Sequence, residues 1–311
     1  MWKSPHNHKI RHGQPCKVRK HSAMPFQETL LSFASRWECD ENNHLNIQFY
    51  FGIFEEADRQ FQLLSGFSDA IAGQRRVRHV RFLREVKSGD LVRVASGVAF
   101  DGPHMLTVVH EMFDGATGDL TATAIDGYAP NASSARTLRT RFKDFMVPMP
   151  AHANPQEIAA TPVNTRMTLD TLLSAGAVLS HRATVLARHQ GADNRADDQF
   201  AVSCASNASP HFWEKTPLKQ AYHKENGLGR LTTEAKLTWL SPLKAGDAIL
   251  VLSNLTAVQD KSFTLRHHLF ESRTKRLAAV CDSAVLPLDL QIRQPAALPE
   301  QTRRDLTALC L

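Results

Sequence analysis

Apolar and polar positions recur along this chain with two different periods. The sharpest pattern runs from Asn46 to Leu64, where Tyr50, Ile53, Phe54, Ala57, Phe61 and Leu64 form a stripe related by spacings of three and four. That spacing predicts one amphipathic helix about 28 Å long. Gln48, Glu55, Asp58, Arg59 and Gln62 face away from its apolar stripe, and Ser65-Gly66 supplies the stop. Around the helix the period drops to two. Leu31 to Trp37 alternates as a strand, and Leu91–Val94, Met105–Phe113 and Leu120–Ala124 read as strands between Gly-Asp, Asp-Gly-Pro and Thr-Gly turn signals. One strand, a long helix and a run of antiparallel strands make an α+β unit with its sheet wrapped on the helix.

The pattern occurs twice. Lys87-Ser88-Gly89-Asp90 returns as Lys244-Ala245-Gly246-Asp247, an offset of 157, and the same offset held from 87 to 124 gives 11 identities in 38 positions, His110/His267 and Phe113/Phe270 among them. Chance matching gives roughly one in sixteen, so the chain is a tandem duplication. The expected organisation is domain 1 over 23–149, a proline-rich linker over 150–165, domain 2 over 166–290 and a short tail over 291–311.

Charge changes the picture less than its total suggests. The net +6 invites a nucleic-acid reading. Residues 1–22, however, hold six cations and no acid, leaving 31 cations against 31 anions in the rest. The excess is one basic, His-rich tail, expected to be disordered, so a nucleic-acid partner is not expected. No run of 18 apolar residues occurs, and no membrane partner is expected. Five cysteines without a CxxC pair suggest free thiols in a reducing compartment, hence a cytoplasmic protein. No metal site, glycine-rich phosphate loop or dinucleotide fingerprint is present, and no cofactor is expected.

The residues with chemical potential precede the long helix: Cys39-Asp40-Glu41-Asn42-Asn43-His44-Leu45-Asn46-Ile47-Gln48-Phe49-Tyr50. A strand ending in Asp, with His four residues on, Asn two beyond that and Tyr four further, resembles the hotdog-fold acyl thioesterases of the 4-hydroxybenzoyl-CoA thioesterase type. Asp40 to His44 is also similar to the Asp-x-Asn-x-His motif of the double-hotdog acyl-ACP thioesterases. The resemblance covers roughly 25–290. It implies two hotdog domains forming an intrachain pseudo-dimer, with the substrate held at their interface. The substrate would be an acyl-CoA or acyl-carrier thioester, hydrolysed to a carboxylic acid and a free thiol. Further self-association stays open.

The residue types suit that chemistry. Asp40 would act as general base or nucleophile, with Asn42 and His44 orienting water or polarising the carbonyl. Backbone N–H groups from Asn46 and Ile47 to Tyr50 sit at the helix N-terminus, where the dipole favours developing negative charge, and Tyr50 is a candidate substrate contact. Arg81 and Arg84 are candidates for coenzyme A phosphates. The same carboxylates have a plainer reading: Asp40 and Asn42 are good turn residues, and Glu55 and Glu56 are ordinary solvated helix carboxylates. In domain 2 the loop around 191–200 carries Asp193 without a His four residues later, so its site is expected to be degenerate. Two alternatives accompany the hydrolase. Hotdog enoyl-CoA hydratases place His five residues after Asp with an intervening Pro, unlike this loop. A non-catalytic acyl-binding protein is left open by Asn43, where the thioesterase pattern usually has Gly, although Asn tolerates the left-handed backbone.

Overall fold

The structure, a computed structural model, describes residues 26–66, 69–130, 135–163, 165–191 and 193–311; the basic tail lies outside the described residues. The predicted turns at Asp101-Gly102-Pro103 and Thr117-Gly118 join neighbouring antiparallel strands, whereas the Gly89-Asp90 turn enters a strand that is not paired with the one before it in the chain. The first half contains β1 (Gln27–Phe33), a helix Ile47–Ser65, then β2 (Arg75–Phe82), β3 (Leu91–Ala99), β4 (Leu106–Asp114) and β5 (Leu120–Tyr128). The second half repeats the order with β6 (Val178–Thr184), a helix Asp198–Trp213, β7 (Leu228–Trp239), β8 (Ala248–Val258), β9 (Phe263–Glu271) and β10 (Arg276–Asp289). The ten strands form one continuous antiparallel sheet in the order β1-β3-β4-β5-β2-β7-β10-β9-β8-β6. The two halves meet where β2 pairs with β7, from Val77 opposite Thr238 to Arg81 opposite Glu234.

The first central helix forms because its stripe is buried: Tyr50, Phe54, Ala57 and Phe61 are covered, joined by Phe51. Asn46 caps its start by accepting the Gln48 N–H at 3.2 Å, and Gly66 ends it in the left-handed region at φ 68°. Two details of the pattern are corrected. Leu64 is exposed, and Asp58, assigned to the outward face, is buried. The predicted strand Leu31–Trp37 starts earlier, at Gln27, and gives way to a 3-10 turn at Arg36–Glu38. The second central helix tolerates Pro210 near its end and packs against the first in a shared core with Phe200, Ala201 and Ala205.

The two halves share more than their strand order. His110 Nδ1 lies 2.7 Å from Ser96 Oγ, which lies 2.8 Å from Thr29 Oγ1. His267 Nδ1 lies 2.7 Å from Ser253 Oγ, which lies 2.6 Å from Ser180 Oγ. Each string ties an edge strand to the third strand in from that edge through buried hydroxyls, which explains why the two histidines are equivalent across the repeat.

The linker is a strap laid across the seam. The Arg81 guanidinium donates to the His152 carbonyl at 2.5 Å, and His152 Nε2 lies 2.5 Å from Glu111 of β4. The N–H groups of Gln156, Glu157 and Ile158 converge on the Glu234 carboxylate of β7 at 2.8–3.1 Å. Lys236 donates to the carbonyls of Ala159 and Thr161. At the far end, a helix over Glu300–Thr307 buries Leu306 against the second half's Phe212, Trp213 and Leu255.

Candidate active site

Sequence reasoning pointed to the loop before the first helix, and that loop is tightly closed. Asp40 donates its N–H to the His44 carbonyl at 2.8 Å, and its Oδ1 accepts the N–H groups of Asn42 at 2.8 Å and His44 at 3.0 Å. Asn43 takes the turn's left-handed position at φ 63°, which asparagine tolerates. His44 Nε2 lies 3.3 Å from Glu85, which also pairs with Arg293. Ile47 packs half-buried on the core, and Tyr50 is buried edge-on against Phe82, with its hydroxyl pKa pushed up by burial. Asp40, Asn42, His44 and Asn46 therefore share one loop, and Ile47 opens the helix that follows it. Arg81 and Arg84 do not join it. Arg81 is committed to the strap and to Glu234 at 3.3 Å, and Arg84 makes an exposed pair with Asp119 at 2.8 Å.

The second loop copies this geometry with other side chains. Gly191 donates to the Arg195 carbonyl as Asp40 does to His44, Asn194 occupies the left-handed position at φ 60°, and Asp197 caps the helix by accepting the Phe200 N–H at 2.7 Å. The counterpart of Asp40 is thus Gly191, and that of Asn42 is Asp193; the frame starting at Asp193 is shifted by two residues.

A cavity of about 560 Å³ opens between this second loop and the first central helix. Its walls include Gly52, Glu55, Glu56, Asp58, Arg59 and Gln62 from that helix, Asp193, Arg195 and Asp197–Gln199 from the loop, and Gln74–Arg76, Tyr128, Trp239 and Ser241 from the sheet side. Its central carboxylate is Glu55, whose Oε2 accepts the N–H of Asp198, first residue of the second helix, at 2.9 Å. Burial, and then the nearby charge of Asp198, push the Glu55 pKa up to about 8, well above an ordinary glutamate. Burial also raises Asp197, to about 6. Sequence reasoning placed Glu55 in solvent because helical spacing shows which face is polar, and gives no sign that another domain covers it.

Behind Glu55 runs a buried ion network. Arg78 meets both oxygens of Asp126 at 2.8 and 2.5 Å and lies 3.2 Å from Asp198. Arg75 pairs with Asp198 and approaches Asp126 at 3.7 Å. Trp239 Nε1 donates to Asp198 at 2.8 Å. Although burial disfavours its charge, Asp126 is held well below the usual carboxylate range by Arg78 and Arg75. Asp58, pushed up by burial and by Asp126, accepts bonds from Tyr128 Oη at 3.0 and 3.1 Å and from Gln62 at 3.0 Å. Parity alone sets Arg75 and Arg78 on opposite faces; a register shift between Arg75 and Val77 in the β2–β5 pairing brings both to the network. The strand bearing these arginines lies at the centre of the sheet. Asp58, His110 and Asp126 have the ligand types of a metal site, yet both oxygens of Asp126 already bond the Arg78 guanidinium.

Comparison with known proteins agrees with this architecture. The sequence model of the Thioesterase-like superfamily matches residues 35–130 and 197–306, one segment in each half. Among solved structures, the 12:0-ACP thioesterase from Umbellularia californica aligns with a TM-score of 0.62 at 10% identity, covering 85% of this chain and 94% of that one. An acyl-ACP thioesterase from Bacteroides thetaiotaomicron aligns at 0.54 with 11% identity, covering 85% and 98%. No curated protein matches the sequence. A duplicated α+β unit with the sheet wrapped on two central helices, matched in both halves by one family's sequence pattern, places the chain in the thioesterase-like superfamily as a tandem hotdog protein.

Proposed function

We propose that this protein hydrolyses acyl thioesters in the cavity between the two halves, with Glu55 as general base. The observation that supports this reading is the meeting of Glu55 with the N-terminus of the second helix. Here a carboxylate from one half touches the first-turn N–H of the other, inside a cavity large enough for a substrate. The first-turn N–H groups have no carbonyl partner within their own helix, and the helix dipole adds positive potential there. A thioester carbonyl that takes over the Asp198 N–H from Glu55 would be polarised, and the freed carboxylate would draw a proton from water. The water oxygen bonds to the carbonyl carbon, negative charge collects on the carbonyl oxygen, and the C–S bond breaks to release a thiolate that is then protonated. Asp198 itself is locked by Arg75, Arg78 and Trp239, so its N–H is held in place.

A second reading keeps catalysis at the first loop. What favours it is the Asp-x-Asn-x-His run, with Asp40 as base or nucleophile, Asn42 and His44 assisting, and the N–H groups of Ile47 and its neighbours receiving the carbonyl. In this reading the second loop, without such a run, is the degenerate site, and Arg81 and Arg84 contact coenzyme A. Thiol release from a panel of acyl-CoA and acyl-carrier esters by the full chain separates the two. Glu55→Gln is expected to lower kcat/KM by at least about 100-fold, the usual weight of a general base, while Asp40→Ala retains most of it. The opposite result moves catalysis to the first loop. No thiol release from any ester leaves the acyl-binding alternative.

A further inference from the structure

We infer that Gln199 is a second catalytic residue of the cavity, its side-chain amide accepting a hydrogen bond from the attacking water while Glu55 takes that water's other proton. The inference rests on hydrolysis at the Glu55 cavity, as proposed above. Gln199 follows Asp198 in the first turn of the second helix and lines the cavity, with its side chain half-buried. Its amide bonds to no described residue. It lies against Gly52 of the first helix, where a β-carbon would overlap Gln199 Oε1 and stand 3.2 Å from Cδ. Gly52 and Glu55 are three positions apart on one helix, hence neighbours on its surface. A helical side chain leans toward the N-terminus of its helix, so Glu55 reaches back over the turn that holds Gly52. Carboxylate and amide thus converge on one place from the two halves of the chain.

The two oxygens of Glu55 differ. Oε2 holds the Asp198 N–H, whereas Oε1 faces the bare Cα of Gly191, where a β-carbon would come to 3.4 Å. A water at the carboxylate has two protons to place. With one directed at Glu55 and the other at Gln199 Oε1, its orientation is fixed and a lone pair is left for the carbonyl carbon. As the C–O bond forms, Glu55 takes its proton, and Gln199 holds the second without gaining it.

The duplication supplies an internal comparison. At the offset of 151, Gly52 and Glu55 correspond to Ser203 and Ser206 of the second central helix, and Gln199 corresponds to Gln48. Glycine inside a helix is less stable than alanine, and it stands only on the helix that carries the carboxylate. Where Ser206 replaces that carboxylate, a side chain fills position 203, and its hydroxyl bonds back to the Phe200 carbonyl at 2.8 Å. The fold therefore does not require a bare position here, and the room kept at Gly52 goes with the reaction.

The test is steady-state thiol release by the full chain, with calorimetric binding of a non-hydrolysable acyl-CoA thioether beside it. Gln199→Met keeps the length of the side chain and removes its hydrogen bonding. It should lower kcat at least about tenfold and leave KM and thioether affinity within about twofold, since the contact acts on the water and not on the bound ester. Gln199→Ser repeats the reading if urea melts show the methionine variant unfolded. Gly52→Ala should lose a similar factor, because its methyl pushes the amide aside, but should lose nothing further in the Gln199→Ala background. A mere packing defect would add in both. The inference is overturned if the Gln199 variants keep kcat within about twofold, or if Gly52→Ala costs as much in the Gln199→Ala background as in the unmodified chain. Failure of hydrolysis at the cavity reads differently: the unmodified chain releases no thiol, or Glu55→Gln retains its kcat, and the inference falls with it.

Discussion

At the scale of single residues, Glu55 and Asp198 are where the two halves exchange charge for position. A base whose pKa stands near 8 is mostly protonated at neutral pH, so thiol release should climb about tenfold per pH unit up to about pH 8 and then level off. The same shift has a sign for stability. Because the folded value lies above the ordinary one, folding holds a proton that the unfolded chain releases. Stability contributed this way is present at low pH and declines as pH rises toward about 8. Urea denaturation of Glu55→Gln at pH 5 and pH 8.5 should show the decline reduced. Asp126→Asn tests the network behind. It leaves the buried Arg78 and Arg75 short of a counter-charge and should cost about 3–5 kcal/mol, read from urea midpoints. Asp126→Leu combined with Arg78→Met should recover much of that loss, since neither partner then stays unpaired. The sequence does not show that these residues meet. Asp126 and Arg78 lie 48 positions apart, and nothing local in either strand announces that they meet.

Elements were far more legible. The first central helix, its Gly66 stop and the meander strands follow from period and turn chemistry, because those signals are local. The misses have equally physical causes. Strand β1 begins before its alternating stretch because edge pairing with β3, from Gln27 opposite Ser96 onward, outweighs the pattern. The second helix has a weak apolar pattern, with Asn207, Ser209 and Pro210 in its span, yet it forms because its small residues let it lie close to its partner in a common core. The two loops align at Asp40 and Gly191 only once their hydrogen bonds are seen, since the offset between halves is 151 there and 157 in the meander. Both caps make a direct prediction. Asn46→Ala and Asp197→Ala should each lower stability by about 1 kcal/mol in thermal or urea melts, and only Asp197→Ala should also disturb ligand binding, because only that cap lines the cavity.

At the scale of the whole molecule, the duplication was readable from 11 matched positions, whereas the seam was not. β2 pairs with β7 through backbone groups that carry no sequence signature, and the strap that crosses them is a stretch of prolines and small residues with the look of a tether. Three N–H groups of that strap converge on Glu234, which makes it part of the sheet's outer face. Glu234→Ala should therefore loosen residues 150–161, seen as faster amide exchange there and easier proteolysis, while the strands on either side stay protected. The difference between the central helices also fixes how the protein counts its ligand. A pair of identical subunits would present Glu55 twice and fill with two equivalents. Here Ser206 stands at the second position. One chain should therefore saturate with a single equivalent of a thioether analogue, along a simple hyperbola, and a titration ending at two would mean that the first loop is a working site as well.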